Sequence, residues 1–265
     1  MPATHGFLRT KRGLLHAIDF PGAIFTAAAG INSHGDIVGM YRLPTDGQRV
    51  RHGFLLRDGV FTTIDPPGAV FTNALGINAE GHIVGRFCTT VATPCTPDGG
   101  NVHGFLFADG QFTTIAVPGA LRTNAWKIDP RGTIVGGYTS ADNRNRVFVL
   151  TEGRFITVAL PPTIGIPLEN GGRRPNGNIA GTYCDTPTCT STSTDFHGFV
   201  LSRRAFRSVD ASGAISTAVF AINARGDLVG VLRRRDGQET RLRAPLERFS
   251  SSCSARASAE RSPLA

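Results

Sequence analysis

The residues best suited to chemistry in this chain are histidines and aspartates that return at matched positions. His52 precedes the two-residue turn Asp58-Gly59, and Asp65 follows it. Counting outward from that turn along two antiparallel strands sets His52 opposite Asp65. The same count about Arg203-Arg204 sets His197 opposite Asp210, and His5 and Asp19 nearly match, with one extra residue. Cross-strand neighbours on one face interact directly, so each pair predicts an imidazole hydrogen-bonded to a carboxylate. Such a pair can orient a general base, or it can pin a corner of a sheet. An enzyme needs one site, whereas this pair recurs, so the structural corner is the expected role. The sharper alternative is a set of repeated ligand contacts at a rim. In two copies the carboxylate is missing: Ala116 faces His103, and Ala159 faces Arg146.

Cysteine supplies a second set. Cys88 and Cys95 share one insertion, and Cys184 and Cys189 share the equivalent insertion two repeats later. Local loop pairs of this kind read as disulfides, each stabilising by about 2–3 kcal/mol through loop entropy. Zinc competes, but neither pair has zinc-knuckle spacing and the pairs fall in separate units. No metal or other cofactor is expected. Disulfides imply an oxidising compartment, hence an extracellular or periplasmic setting. The opening MPATHGFLRTKRG is not a signal peptide, so either a leader lies upstream of this start or the compartment expectation fails. Cys253 is left over near the C-terminus.

The third set is irregular. Where other copies read Gly-Ile-Asn, the fourth has Gly172-Arg173-Arg174, preceded by Glu169 and Asn170. Trp126 and Lys127 replace small or apolar residues one unit earlier. Together Trp126, Lys127, Glu169, Arg173 and Arg174 are a candidate ligand-binding sector. The competing reading is drift in a nonessential repeat. Fingerprints of nucleotide sites, zinc proteases and serine hydrolases are absent, so a non-enzymatic protein is the leaning.

These residues must be positioned by a repeat. Copies begin at His5, His52, His103, Arg146 and His197, about 47 residues apart, and a unit of that length buries its apolar face only by stacking on a neighbour. Each unit holds four strand-like runs. In the second copy they are Thr72–Asn78 (A), His82–Cys88 (B), His103–Phe107 (C) and Gln111–Ala116 (D). A and B are joined by Asn-x-x-Gly turns, as at Asn32 to Gly35 and Asn78 to Gly81. C and D are joined by Asp58-Gly59 or Asp109-Gly110. Small residues in strand A (Ala28, Gly30, Ala74, Gly76, Ala125) suit strands crowded about an axis. The Phe of each His-Gly-Phe suits packing between sheets.

Alternating strand direction puts the A–B and C–D turns on one face. The B–C loops and the Pro-Gly-Ala crossings from D to the next A share the other. Variable insertions gather on that second face, which is the expected binding surface. The chain opens on an unpaired C (His5–Leu8) and D (Leu14–Asp19) and ends its pattern on A (Thr217–Asn223) and B (Asp227–Leu232). The expected fold is therefore an all-β, five-bladed propeller of four-stranded antiparallel blades. The N-terminal C/D strands would pair with the C-terminal A/B strands to close the ring. Residues 1–243 form one domain in this reading, and 244–265 an irregular or disordered tail.

The net charge of +8 is carried by 26 Arg against 2 Lys. Many arginines lie near the C-terminus, and no run alternates basic with aromatic residues, which argues against nucleic acid as the partner. No 18-residue apolar stretch exists, so no membrane-spanning helix is expected. A monomer is expected.

The units HGFLLRDGVFTTIDPPGAVFTNALGINAEGHIVG and HGFLFADGQFTTIAVPGALRTNAWKIDPRGTIVGGY resemble the bacterial HAF-type extracellular repeats. Those carry a His-(Ala/Gly)-Phe step, a Gly-Ile-Asn-x-x-Gly turn and an Ile-Val-Gly strand. The resemblance runs over most of the chain and implies an exported bacterial protein of β-propeller type, with no catalytic residues to carry over. The functional expectation is an exported repeat protein that binds a glycan or other surface ligand through its loop-bearing face. The alternatives are a polysaccharide-active hydrolase or lyase at a channel mouth, or a purely structural surface module.

Overall fold

A computed structural model describes residues 4–10, 14–90, 101–158, 160, 171–173, 178–185, 196–202, 205–222, 226–234 and 239–245. Among them every regular element is a strand. β1 (Gly6–Arg9) and β2 (Leu15–Ile18) form a two-stranded sheet. β3 (Phe25–Ile31), β4 (Ile37–Arg42), β5 (His52–Arg57) and β6 (Val60–Thr63) form a four-stranded one. The next holds β7 (Phe71–Ile77), β8 (Ile83–Cys88), β9 (His103–Ala108) and β10 (Gln111–Ile115). It is followed by β11 (Arg122–Ile128), β12 (Ile134–Thr139), β13 (Asn145–Thr151) and β14 (Arg154–Thr157). β15 (Gly171–Arg173), β16 (Ile179–Tyr183), β17 (His197–Ser202) and β18 (Ala205–Val209) make another four-stranded sheet. β19 (Ser216–Ile222), β20 (Asp227–Arg233) and β21 (Glu239–Pro245) complete the described strands. Spatial order follows chain order in each sheet. By contact the chain divides into two compact units, residues 1–134 and 135–265.

One expectation is corrected. β20 pairs with β19 on one edge and, over seven residues, with β21 on the other. A strand has two edges, so none is left for β1, which pairs with β2 instead. The pairing expected of β1 with β20 is therefore replaced by that of β21 with β20. The irregular tail expected from residue 244 is also shortened, since Ala244 and Pro245 belong to β21. Residues beyond 245, Cys253 among them, lie outside the described residues.

In the first unit the repeated letters acquire physical reasons. Phe54 and Phe105 of His-Gly-Phe are fully buried, and burying such a ring stabilises by about 1.5–3 kcal/mol. Their rings lie where a Cβ on Gly39 or Gly85 of Ile-Val-Gly would stand. The glycine of His-Gly-Phe meets the next sheet: a Cβ on Gly53 would strike Thr72, and one on Gly104 the Ala125 backbone. Just before that glycine, the carbonyls of Thr4, Arg51 and Val102 accept the N–H groups of Thr26, Thr72 and Thr123, at 2.8, 2.9 and 2.9 Å. Neighbouring sheets are thus clipped by backbone.

The Asn-x-x-Gly turn adds a second clip. Asn32 Oδ1 accepts the N–H of His34 and of Asp36, which shapes its own turn. Its Nδ2 donates to the Asn78 carbonyl, and Asn78 Nδ2 donates to the Asp129 carbonyl. The side chain therefore does two jobs at once, and Asp129 with its carboxylate keeps only the first.

Inside strands β3 and β7 the register shifts between Ala28 and Gly30 and between Ala74 and Gly76. Ala29 and Leu75 are the bulged residues, and a bulge releases backbone groups from the ladder.

In the second unit, Val200, Val209, Val219, Ile222 and Leu228 form one core cluster with Ala180. Phe148 and Phe199 are buried there as Phe54 and Phe105 are in the first unit. Thr217 N–H donates to the Phe196 carbonyl at 2.6 Å, repeating the backbone clip.

Candidate functional site

Antiparallel pairing puts the B–C loop and the D-to-A crossing at the same end of each sheet. The histidine opens strand C at that end, and the aspartate follows strand D. Arg57 pairs with Val60 and Ser202 with Ala205, so the registers run out to His52 opposite Asp65 and His197 opposite Asp210. His52 Nδ1 meets Asp65 Oδ2 at 2.6 Å, and His197 Nδ1 meets Asp210 Oδ1 at 2.8 Å. His5 meets Asp19 at 2.7 Å. Gly6 pairs with Ile18, so the extra residue counted in the sequence is taken up before Leu14 and the two stand in register after all.

Each interior corner has further parts. Asp65 Oδ1 also accepts the Gly53 N–H at 3.0 Å, and Asp210 accepts the Ser208 hydroxyl at 2.8 Å. On the other side of the ring a second carboxylate waits. His52 Nε2 lies 3.6 Å from Asp46, and His197 Nε2 lies 3.4 Å from Asp185. The Leu43 N–H donates to Asp46 at 2.6 Å and holds it there. Tyr41 lies 5.2 Å from His52 and Tyr183 5.1 Å from His197, measured between ring centres. The Tyr41 hydroxyl pairs with Thr63 and that of Tyr183 with Ser208. Burial raises the Tyr41 pKa above 10, which keeps that hydroxyl neutral. About a quarter of each of these two imidazoles stays accessible, 27% and 29%. An oriented imidazole between two carboxylates can hydrogen-bond a polar ligand without moving.

The Arg146 copy is built differently. Its guanidinium takes Asp142 at 2.6 Å and the Ser140 hydroxyl at 2.8 Å, both from the B–C loop. Hydrogen bonding from Ser140, and then from the Arg144 backbone and Arg146, holds the Asp142 carboxyl below its ordinary pKa. The sequence pattern did not point to Asp46, Asp142 or Asp185. They precede their partners by six, four and twelve residues, and no periodic signal exists at variable spacing.

The irregular sector is only partly visible. Trp126 is buried at 2% exposure and serves as core. Lys127 stands where β3 and β7 have Gly30 and Gly76. Its Nζ donates to the bulge carbonyl of Leu75 at 2.9 Å and reaches that of Ala29 at 3.4 Å. Some of its surface is accessible, yet protein surrounds the ammonium closely enough that burial lowers its pKa to about 8. The side chain therefore ties three A strands together. Arg173 lies in β15, while Glu169 and Arg174 fall outside the described residues. Among the described residues no group of three or more His, Cys, Asp or Glu is placed to hold a metal, and no helix is long and apolar enough to cross a membrane. Cys88 and Cys184 are each disulfide-bonded. Cys95 and Cys189 fall outside the described residues.

The sequence matches no protein family and no curated protein. Among solved structures the chain is similar to a puromycin-hydrolyzing peptidase of Mycobacterium tuberculosis. The two are 13% identical with a TM-score of 0.60, over 97% of this chain and 44% of that one. The chain thus spans less than half of that protein, and the likeness is one of fold. A mutant of AofleA from Arthrobotrys oligospora is 14% identical, covering 90% of this chain and 76% of that chain with a TM-score of 0.49. An Aleuria aurantia lectin described as a six-bladed β-propeller with a fucose recognition mode is 12% identical. That match covers 96% of this chain and 91% of that chain with a TM-score of 0.44.

Proposed function

We propose that this chain is an exported, non-enzymatic module of β-propeller type, and that the loop-bearing end of its sheets binds a glycan or other hydroxyl-rich surface ligand. One observation carries the reading. The constellation of His52 with Asp46 and Asp65 returns as His197 with Asp185 and Asp210, at the same end of a four-stranded sheet and partly open to solvent. A repeated, prearranged donor–acceptor cluster suits repeated ligand contacts, since recognition can use several equal sites where catalysis uses one. Assigning a propeller function from fold would be analogy, so the weight rests on these side chains.

The test is a glycan-array screen of the purified protein, followed by calorimetry on the hits. Binding that weakens in His52→Ala and in His197→Ala supports the reading. No binding on any array leaves a structural surface module as the better description. Export is supported by the resemblance to HAF-type repeats and by the bonded Cys88 and Cys184. We assign their partners as Cys95 and Cys189. Mass spectrometry without reductant then finds two intrachain bridges, and free thiols at Cys95 and Cys189 would reject that pairing.

A further inference from the structure

The basic side chains at the loop-bearing end of the sheets follow a rule that one of them breaks. His5, His52, Arg146 and His197 each meet a carboxylate at 2.6–2.8 Å. His103 opens β9 at the matched position. Ile115 pairs with Gly104, so Ala116 stands opposite His103 where other sheets have Asp65 and Asp210. The sheet of β15 to β18 shows the complete corner. There the Asp210 carboxylate meets His197 Nδ1 through Oδ1 and accepts the Ser208 hydroxyl through Oδ2, both at 2.8 Å. Ser208 pairs with Phe199, and Thr114 pairs with Phe105, so Thr114 holds the Ser208 position in the sheet of β7 to β10. That sheet keeps both donors, an imidazole and a hydroxyl, and lacks the carboxylate that such donors hold elsewhere. Phe87 pairs with His103 where Tyr41 and Tyr183 pair with His52 and His197, so no phenol engages the Thr114 hydroxyl either. Among the described residues neither His103 nor Thr114 has a side-chain hydrogen-bond partner. Thr114 and Ala116 are exposed and His103 is half-buried, so the corner opens to solvent.

We propose that the His103 and Thr114 corner binds the carboxylate of a uronic acid, a reading that deepens the glycan function proposed above and rests on it. The molecule itself displays the contact, because Asp210 holds a carboxylate against the same two donor types in the sheet of β15 to β18. A carboxylate accepts on both oxygens, so one oxygen takes the imidazole N–H and the other the Thr114 hydroxyl. Hydrogen bonds to an ionised acceptor are roughly twice as strong as neutral ones. The same chemistry separates this corner from those of His52 and His197. Each of those imidazoles lies between two carboxylates, which accept from sugar hydroxyls and repel an anion. At His103 no carboxylate of the described residues is within ion-pair reach, so the corner favours an anionic group over a neutral one.

Ala116→Asp supplies the missing carboxylate from the chain itself, at an exposed position, and so copies the corner of His52 with Asp65. Saturation-transfer NMR and calorimetry with methyl glucuronoside, methyl glucoside and acetate read the binding. The expected result is that the wild-type chain binds the glucuronoside more tightly than the other two. That binding weakens about tenfold or more, a cost near 1.4 kcal/mol, in Ala116→Asp and also in His103→Ala, which adds no charge. Weakening in Ala116→Asp alone is repulsion by the new acid and overturns this site, as does unchanged affinity in both variants. Glucuronoside bound no better than glucoside overturns carboxylate recognition and leaves the wider surface reading standing. Acetate bound as tightly as the glucuronoside overturns the sugar class. No binding of the glucuronoside by the wild type overturns this site, and the wider reading falls with it only if the glycan array is silent too. Should Ala116→Asp fail to fold, His103→Ala decides: weakened glucuronoside binding supports the site, and unchanged affinity overturns it.

Discussion

Lys127 donates through Nζ to the main-chain carbonyl of Leu75 at 2.9 Å, across 52 positions of sequence. Leu75 is the bulged residue of β7, so the lysine satisfies an oxygen that the bulge released. Charge and backbone irregularity compensate each other there. The desolvated ammonium keeps its proton less firmly than a free lysine does.

That relationship predicts a pH dependence. The Lys127 pKa is about 8 in the fold against an ordinary 10.5. Below the folded value both states are protonated, and the folded state bears the full burial penalty. Between the two values the unfolded chain binds more protons, so the lysine's contribution to stability rises with pH across that window. The stability of wild type minus that of Lys127→Met, from urea denaturation, is expected to be larger at pH 10 than at pH 7. A difference that is flat or falling would show that burial does not control this group.

The threonines of strand A predict opposite effects from the same substitution. Thr123 Oγ1 accepts the Val117 N–H at 3.1 Å, and Thr217 does the same for Ala211 at 3.0 Å. At Thr72 the equivalent donor would be the nitrogen of Pro66, which has no hydrogen. Thr123→Val is expected to cost about 1 kcal/mol, and Thr72→Val to stabilise by up to about 1 kcal/mol by removing an unpaired buried hydroxyl. Denaturant midpoints of the two variants check the sign.

Asn78 can be tested for its two roles separately. Its Oδ1 accepts the His82 N–H and shapes the turn, while its Nδ2 bridges to the Asp129 carbonyl. Asn78→Asp keeps the first role and replaces the second with a carboxylate oxygen facing the Asp129 carbonyl, which still accepts the Gly132 N–H at 3.0 Å. The expected cost is about 1–3 kcal/mol. Faster amide exchange confined to β7 and β11 would locate that loss at the clip.

Gly85 lies under the Phe105 ring and beside the Asn73 carbonyl, both within the space a Cβ would need. Gly85→Ala must displace backbone or ring, and it is expected to cost about 3 kcal/mol or more. By contrast, Gly68 has nothing near its Cβ position and pays only for its positive φ of 73°. Thermal melts of Gly85→Ala and Gly68→Ala should rank them in that order.

Much of this was legible in the chain because the signals are local. Period-two runs and tight turns place strands within about one residue, as β7 to β10 show against the runs read at Thr72, His82, His103 and Gln111. A two-residue turn also sets cross-strand register, which is why His52 with Asp65 and His197 with Asp210 could be paired by counting. The folded molecule alone decided what happens between sheets and in loops of unequal length. It put Asp46 and Asp185 against the far side of the same imidazoles, seated β21 on the edge of β20 that β1 was expected to take, and carried Lys127 to carbonyls on two other strands. The physical reason is range: hydrogen-bonded pairing repeats with the backbone and leaves a period in the sequence, whereas packing of one sheet on the next depends on side-chain volume and loop path, which leave none.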